Sequence, residues 1–136
     1  MTKPLSVHEA LIWVMVTTAV ADRNMTESEL DQFERLIGFL PVFQGFEGSV
    51  GAIADTCSAH LKSDDGIDRI LDKVVEALPA RLHETAYALA IEVAASDLDV
   101  RQEELVFLQM LEDRLELDKL GVAAIEHSAR VRYRKL

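Results

Sequence analysis

Ile67-Asp68-Arg69-Ile70-Leu71-Asp72-Lys73-Val74-Val75-Glu76-Ala77-Leu78-Pro79 places apolar side chains at i, i+3, i+4, i+7, i+8 and i+11, which is one continuous stripe on an α-helix. Pro79 closes the run, because proline lacks the N–H that the next helical turn would need. The same spacing recurs outward from this segment. Leu30, Phe33, Ile37 and Leu40 mark a helix that Gly38 and Pro41 help to close, and Leu105, Leu108, Leu111 and Leu115 mark another. Phe43-Gln44-Gly45-Phe46-Glu47-Gly48 reads as a tight connection, followed by a helix over about 49–61 with Ile53, Cys57 and Leu61 inward. Ser63-Asp64-Asp65-Gly66 supplies a break and a cap, and the last helix is expected to start at Asp118 and run through Val122, Ile125 and Ala129. Strand alternation is absent. The expectation is an all-α fold, a compact bundle of about seven or eight short helices whose short connections make sequential helices antiparallel neighbours.

An internal repeat organises these helices. Writing residues 4–36 over 79–111, an offset of 75, gives eight identities in 33 positions: Pro4/Pro79, His8/His83, Glu9/Glu84, Ala19/Ala94, Asp22/Asp97, Glu29/Glu104, Leu30/Leu105 and Leu36/Leu111. Near matches at Asn24/Asp99, Met25/Val100 and Glu27/Gln102 extend the correspondence across both helices of each unit. The repeat units, about 4–37 and 79–112, lie in one domain spanning 1–136 that carries a basic end at 130–136. Lys3, an apolar stretch and Ala19-Val20-Ala21 imitate a secretory signal. A signal would not recur in mid-chain with its flanking residues, so residues 1–21 read as a structural helix.

Composition bounds the rest. With 49% hydrophobic and 28% charged residues the chain is too apolar for disorder, and 136 residues suffice for one core without staples. The formal charge of −10 opposes nucleic-acid binding. It is unevenly spread: residues 1–129 hold 24 acidic against 10 basic side chains, while Arg130, Arg132, Arg134 and Lys135 crowd the end. One cysteine, Cys57, fits a reducing, cytoplasmic setting. The longest run without charge or histidine, Ala10 to Ala21, is twelve residues, against the roughly 20 a membrane-spanning helix requires.

Each repeat unit is an apolar helix, a short acidic turn and an amphipathic helix. The turns, Asp22-Arg23-Asn24-Met25-Thr26-Glu27-Ser28-Glu29 and Asp97-Leu98-Asp99-Val100-Arg101-Gln102-Glu103-Glu104, share the form D-x-[ND]-[MV]-x-x-x-E. Carboxylate and amide oxygens are the hard ligands that Ca2+, Mg2+ or Mn2+ take, which makes Asp22, Asn24, Glu29, Asp97, Asp99 and Glu104 the candidate metal ligands. The Glu stands at position 8 with no glycine in the turn, so the spacing is not that of an EF-hand. Helix capping is the competing reading. Thr26-Glu27-Ser28-Glu29 is a capping box, but in the second unit Arg101 replaces Thr26 while Glu104 is kept and the cap moves to Asp99. A glutamate retained after its capping partner has gone suggests a second use.

Asp22 through Leu36, Asp97 through Leu111, the Pro41-x-Phe43-x-Gly45-Phe46 connection and Tyr87-Ala88-Leu89-Ala90-Ile91-Glu92-Val93-Ala94-Ala95 together resemble the TerB family of tellurite-resistance proteins, over about residues 5–117. The resemblance implies a small all-helical bacterial domain that binds metal through an acidic patch. It also implies a link to tellurium-oxyanion and other stress resistance, work beside membrane-associated partners, and no established catalysis; the fold recurs attached to membrane-anchored J-domain co-chaperones. A shared acidic patch would put both turns at the same end of the molecule. The family's turn usually begins Asp-Gly, where this chain has Arg23 and Leu98, which implies more constrained turns and weaker metal affinity.

The remaining residues favour structural roles. His8 and His83 sit at equivalent helix starts without the H-x-x-x-H spacing of a zinc pair, His60 and His127 are isolated, and Cys57 lies on an inward stripe. No nucleophile–base pair, P-loop, G-x-G-x-x-G or G-x-S-x-G occurs. The basic end complements the dipole of the last helix, with weak contact to an anionic membrane surface as the sharper reading. Together these readings predict a non-enzymatic, cytoplasmic metal-binding or adaptor domain, stationed at the inner face of the membrane. The alternative is an interaction scaffold that binds no metal.

Overall fold

A computed structural model describes residues 3–20, 25–96 and 102–136. Among them run seven α-helices and no strand, and 78% of the described residues are helical, the short 3-10 turns included. The helices are α1 (Val7–Val20), α2 (Glu27–Phe39), α3 (Val50–Leu61), α4 (Gly66–Ala77), α5 (His83–Ser96), α6 (Gln102–Arg114) and α7 (Lys119–Arg132). Short 3-10 turns at Pro41–Phe43 and Ala80–Leu82 complete the path.

The repeat appears in the element lengths. α1 and α5 each have 14 residues and α2 and α6 each have 13; the bounds of α2 and α6 differ by 75, and those of α1 and α5 by 76. α1 is apolar on nearly every side, and all eleven residues from Ala10 to Val20 are buried. It packs against α3, α4, α5 and α6, and α5 in turn holds α6 and α7. Two hydroxyls sit inside α1 because each finds a partner: Thr18 Oγ1 donates to the Val14 carbonyl at 2.8 Å, and Thr17 Oγ1 lies 3.5 Å from Cys57 Sγ.

α4 buries Ile70, Leu71 and Val74 of the expected stripe, with Ile67 and Val75 half-buried at its edges. α3 begins one residue past its Ser49 cap and turns Val50, Ala54 and Cys57 fully inward, leaving Ile53 and Leu61 half-buried. Asp65 stands at the N-cap of α4, but its carboxylate accepts from Arg69 Nε at 2.8 Å instead of from the helix backbone. Asp118 caps α7 by accepting from the Gly121 N–H. α1 carries a capping box of its own: Ser6 Oγ accepts from the Glu9 N–H and Glu9 Oε1 accepts from the Ser6 N–H.

α6 departs from the leucine spacing. Its buried residues are Glu104, Phe107, Leu108 and Leu111, followed by Leu115, whereas Leu105 and Val106 are 50% and 48% exposed. The stripe starts one residue early, on a carboxylate, and positions 104, 107, 108 and 111 supply the i, i+3, i+4, i+7 frame.

Candidate functional site

Where α1, α2, α5 and α6 approach one another, a cleft of about 280 Å3 is lined by Ala19, Glu29, Phe33, Val93, Ser96 and Glu104, with Ser28 and Gln32 at its side. These four helices are the two units of the repeat, so the equivalent glutamates Glu29 and Glu104 come to one cavity. Both belong to the first turn of their helices, where the dipole favours negative charge. Glu104 is the more enclosed, at 3% exposure. Water-free burial of a carboxylate is unfavourable unless hydrogen bonds, opposite charge or a cation compensate it, so its place in an otherwise apolar stripe is chemically conspicuous.

Glu29 also closes the capping box expected for α2. Its Oε1 accepts from the Thr26 N–H at 2.9 Å and from Thr26 Oγ1 at 3.1 Å, while Thr26 Oγ1 accepts from the Glu29 N–H. Asp22, Asn24, Asp97 and Asp99, the other candidate ligands, lie outside the described residues, as does the cap expected at Asp99. Among the described residues no group of three or more His, Cys, Asp or Glu is placed to hold a metal ion. Sequence reasoning named both glutamates but missed the burial of Glu104 and the polar lining from Ser28, Gln32 and Ser96. Counting Glu104 as a member of the Phe107–Leu108–Leu111 stripe is the signal that finds it.

The histidines at equivalent helix starts have local roles. His8 Nε2 donates to the Val42 carbonyl at 2.9 Å while its ring clusters with those of Phe43 and Phe46, and His83 Nε2 lies 3.3 Å from the Leu78 carbonyl. Burial pushes the Cys57 thiol up to about 12, only partly offset by its contact with Thr17, so the nucleophilic thiolate is disfavoured. Burial, and then Glu126, likewise raises the Tyr87 phenol, whose hydroxyl donates to Glu126 Oε2 at 2.8 Å. At the basic end, Arg132 pairs with Glu92 at 2.5 Å and donates to Ser128 Oγ, which ties the last turn of α7 to α5. No described helix is long and apolar enough to cross a membrane.

No family model, no curated protein and no solved structure matches the chain.

Proposed function

We propose that this chain is a non-enzymatic domain that binds a divalent cation, Ca2+ or else Mg2+ or Mn2+, and serves as an adaptor in tellurite or stress resistance, as the TerB-like residues imply. Glu29 and Glu104 are its ligands from the helices, and Asp22, Asn24, Asp97 and Asp99 are its ligands from the turns. The supporting observation is that the two glutamates of the repeat line one cleft among the four repeat helices. Ca2+ takes six to eight oxygens, so water completes the shell and affinity is modest. The domain works in the cytoplasm beside a membrane-associated partner, with Arg130, Arg134 and Lys135 available for weak contact with an anionic surface.

A scaffold that binds no metal is the second reading. It is favoured by Leu105 and Val106, which stand exposed on the first turns of α6 beside the acidic Glu103 and suit a partner with a basic, partly apolar face.

The experiment is Ca2+ titration at low ionic strength by calorimetry and NMR, on the parent and on the Glu29→Gln/Glu104→Gln pair. Glutamine at position 29 retains the capping box, so helix capping alone predicts no change in ion binding. Metal binding predicts that the parent takes up the ion and the double variant does not, while the variant folds at least as well without metal because two like charges are gone. A parent that takes up no divalent ion removes the metal reading.

A further inference from the structure

Away from the carboxylate cleft, a hollow of about 390 Å3 opens between the N-terminal segment, α1, α3 and α4, within the roughly 300–1,000 Å3 of small-molecule sites. Trp13, the chain's one tryptophan, lines it while only 2% exposed, and its ring lies 5.0 Å from that of His60 at a tilt of 52°. Leu5 and Ile53 extend the apolar wall.

The polar rim has the opposite sign to the molecule. Lys3, Lys73 and His60 face the hollow with one carboxylate, Glu9, and Glu9 Oε1 accepts the Ser6 N–H at 2.8 Å as part of the α1 cap. Lys73 Nζ reaches the carbonyl oxygen of Lys3 at 3.5 Å, so an ammonium from α4 bridges to the N-terminal segment. His60 Nδ1 lies 3.0 Å from the Thr56 carbonyl, which can only accept; Nδ1–H therefore donates, and Nε2 is the ring's second polar atom. A chain of net charge −10 that gathers two lysines around an aromatic wall offers an anion with an apolar body both of its needs in one place. A neutral apolar molecule uses only the wall, and a bare inorganic anion uses only the rim.

We propose that this hollow binds a small aromatic carboxylate, with its ring against Leu5, Ile53 and the His60 ring that lies on Trp13, and its carboxylate held by Lys3 and Lys73. The full chain is titrated with 1-naphthoate and with the uncharged 1-naphthalenemethanol, followed by 1H–15N NMR including the Trp13 indole N–H. Naphthoate should shift Trp13, Ile53, His60 and Lys73 saturably and bind about tenfold more tightly than the alcohol, the ratio expected of one partly solvated ion pair. Lys73→Met should remove most of that ratio and leave alcohol binding unchanged. Lys3→Met, at an exposed position, carries the same expectation if Lys73→Met does not fold. Equal affinity for the two probes, unchanged naphthoate affinity in the folded variant, or shifts confined to other faces would overturn the proposal.

Discussion

Alanine at three helical glycines should give three different outcomes, and Gly66 is the informative one. A Cβ there would lie 2.2 Å from the His60 carbonyl oxygen and 3.0 Å from the Leu61 Cα, both backbone atoms of α3. Carbon–oxygen contacts settle at about 3.3 Å, so α3 and α4 would have to separate by about 1 Å. That shift also disturbs the His60 oxygen's bonds from the Ser63 N–H and hydroxyl. Overpacking typically costs 1–3 kcal/mol, and a rigid backbone obstacle places Gly66→Ala near the top, about 3 kcal/mol. With an unfolding entropy of about 2.1 cal/mol/K per residue, this lowers the Tm of the 136-residue chain by about 10 °C. Gly121→Ala meets Glu84 Oε2 at 2.4 Å, the tip of a side chain that can swing away, and should cost under about 1 kcal/mol. Gly38→Ala meets nothing within 4 Å inside α2 and should stabilise by about 0.5–1 kcal/mol. Thermal and urea unfolding of the three variants checks the order. A Gly66→Ala protein as stable as the parent would refute the close approach of α3 and α4.

The orientation of α6 can be tested by contrast: Leu105→Lys should change stability by no more than about 0.5 kcal/mol, while Leu108→Ala costs about 2–5 kcal/mol in the same urea assay. Thr26→Ala removes a hydroxyl that both donates and accepts in the capping box and should cost about 1 kcal/mol in urea unfolding. The unfolded Cys57 thiol titrates near 9.0 and the folded one near 12. Its contribution to stability is therefore constant below pH 9 and is lost between pH 9 and 12, as the unfolded state releases the proton that the folded state retains, at about 1.4 kcal/mol per pH unit. Cys57→Ala should flatten that part of the stability profile relative to the parent, measured by urea midpoints at pH 8, 10 and 11.

The helices were legible where apolar residues alone define the buried face. α4 is the clearest case, since Ile70, Leu71 and Val74 declare both its period and its orientation. α6 was legible as a helix but not in its rotation, because a pattern that counts only apolar residues begins at Leu105 and passes over Glu104. α1 identified itself as central, yet a helix apolar on every side carries no direction, and nothing in it says that α3 and α5 are neighbours. The capping role of Glu29 was written in Thr26-Glu27-Ser28-Glu29, a local code. Its meeting with Glu104 in one cleft depends on how two hairpins pack, which spacing within either hairpin does not encode. The hollow beside Trp13 was hidden for the same reason, because its lysines come from segments 70 residues apart.

The burial of α1 has a consequence during synthesis. Its packing partners α3, α4, α5 and α6 all follow it along the chain, and the end of α5 lies 76 residues beyond the end of α1. At translation rates of about 5–20 residues per second, the most apolar helix waits about 4–15 s before the ribosome has made the helix that covers its second side. Until then it is a nascent-chain hydrophobic segment in search of cover, and a ribosome-associated holdase or a transient pairing with α3 and α4 must shield it.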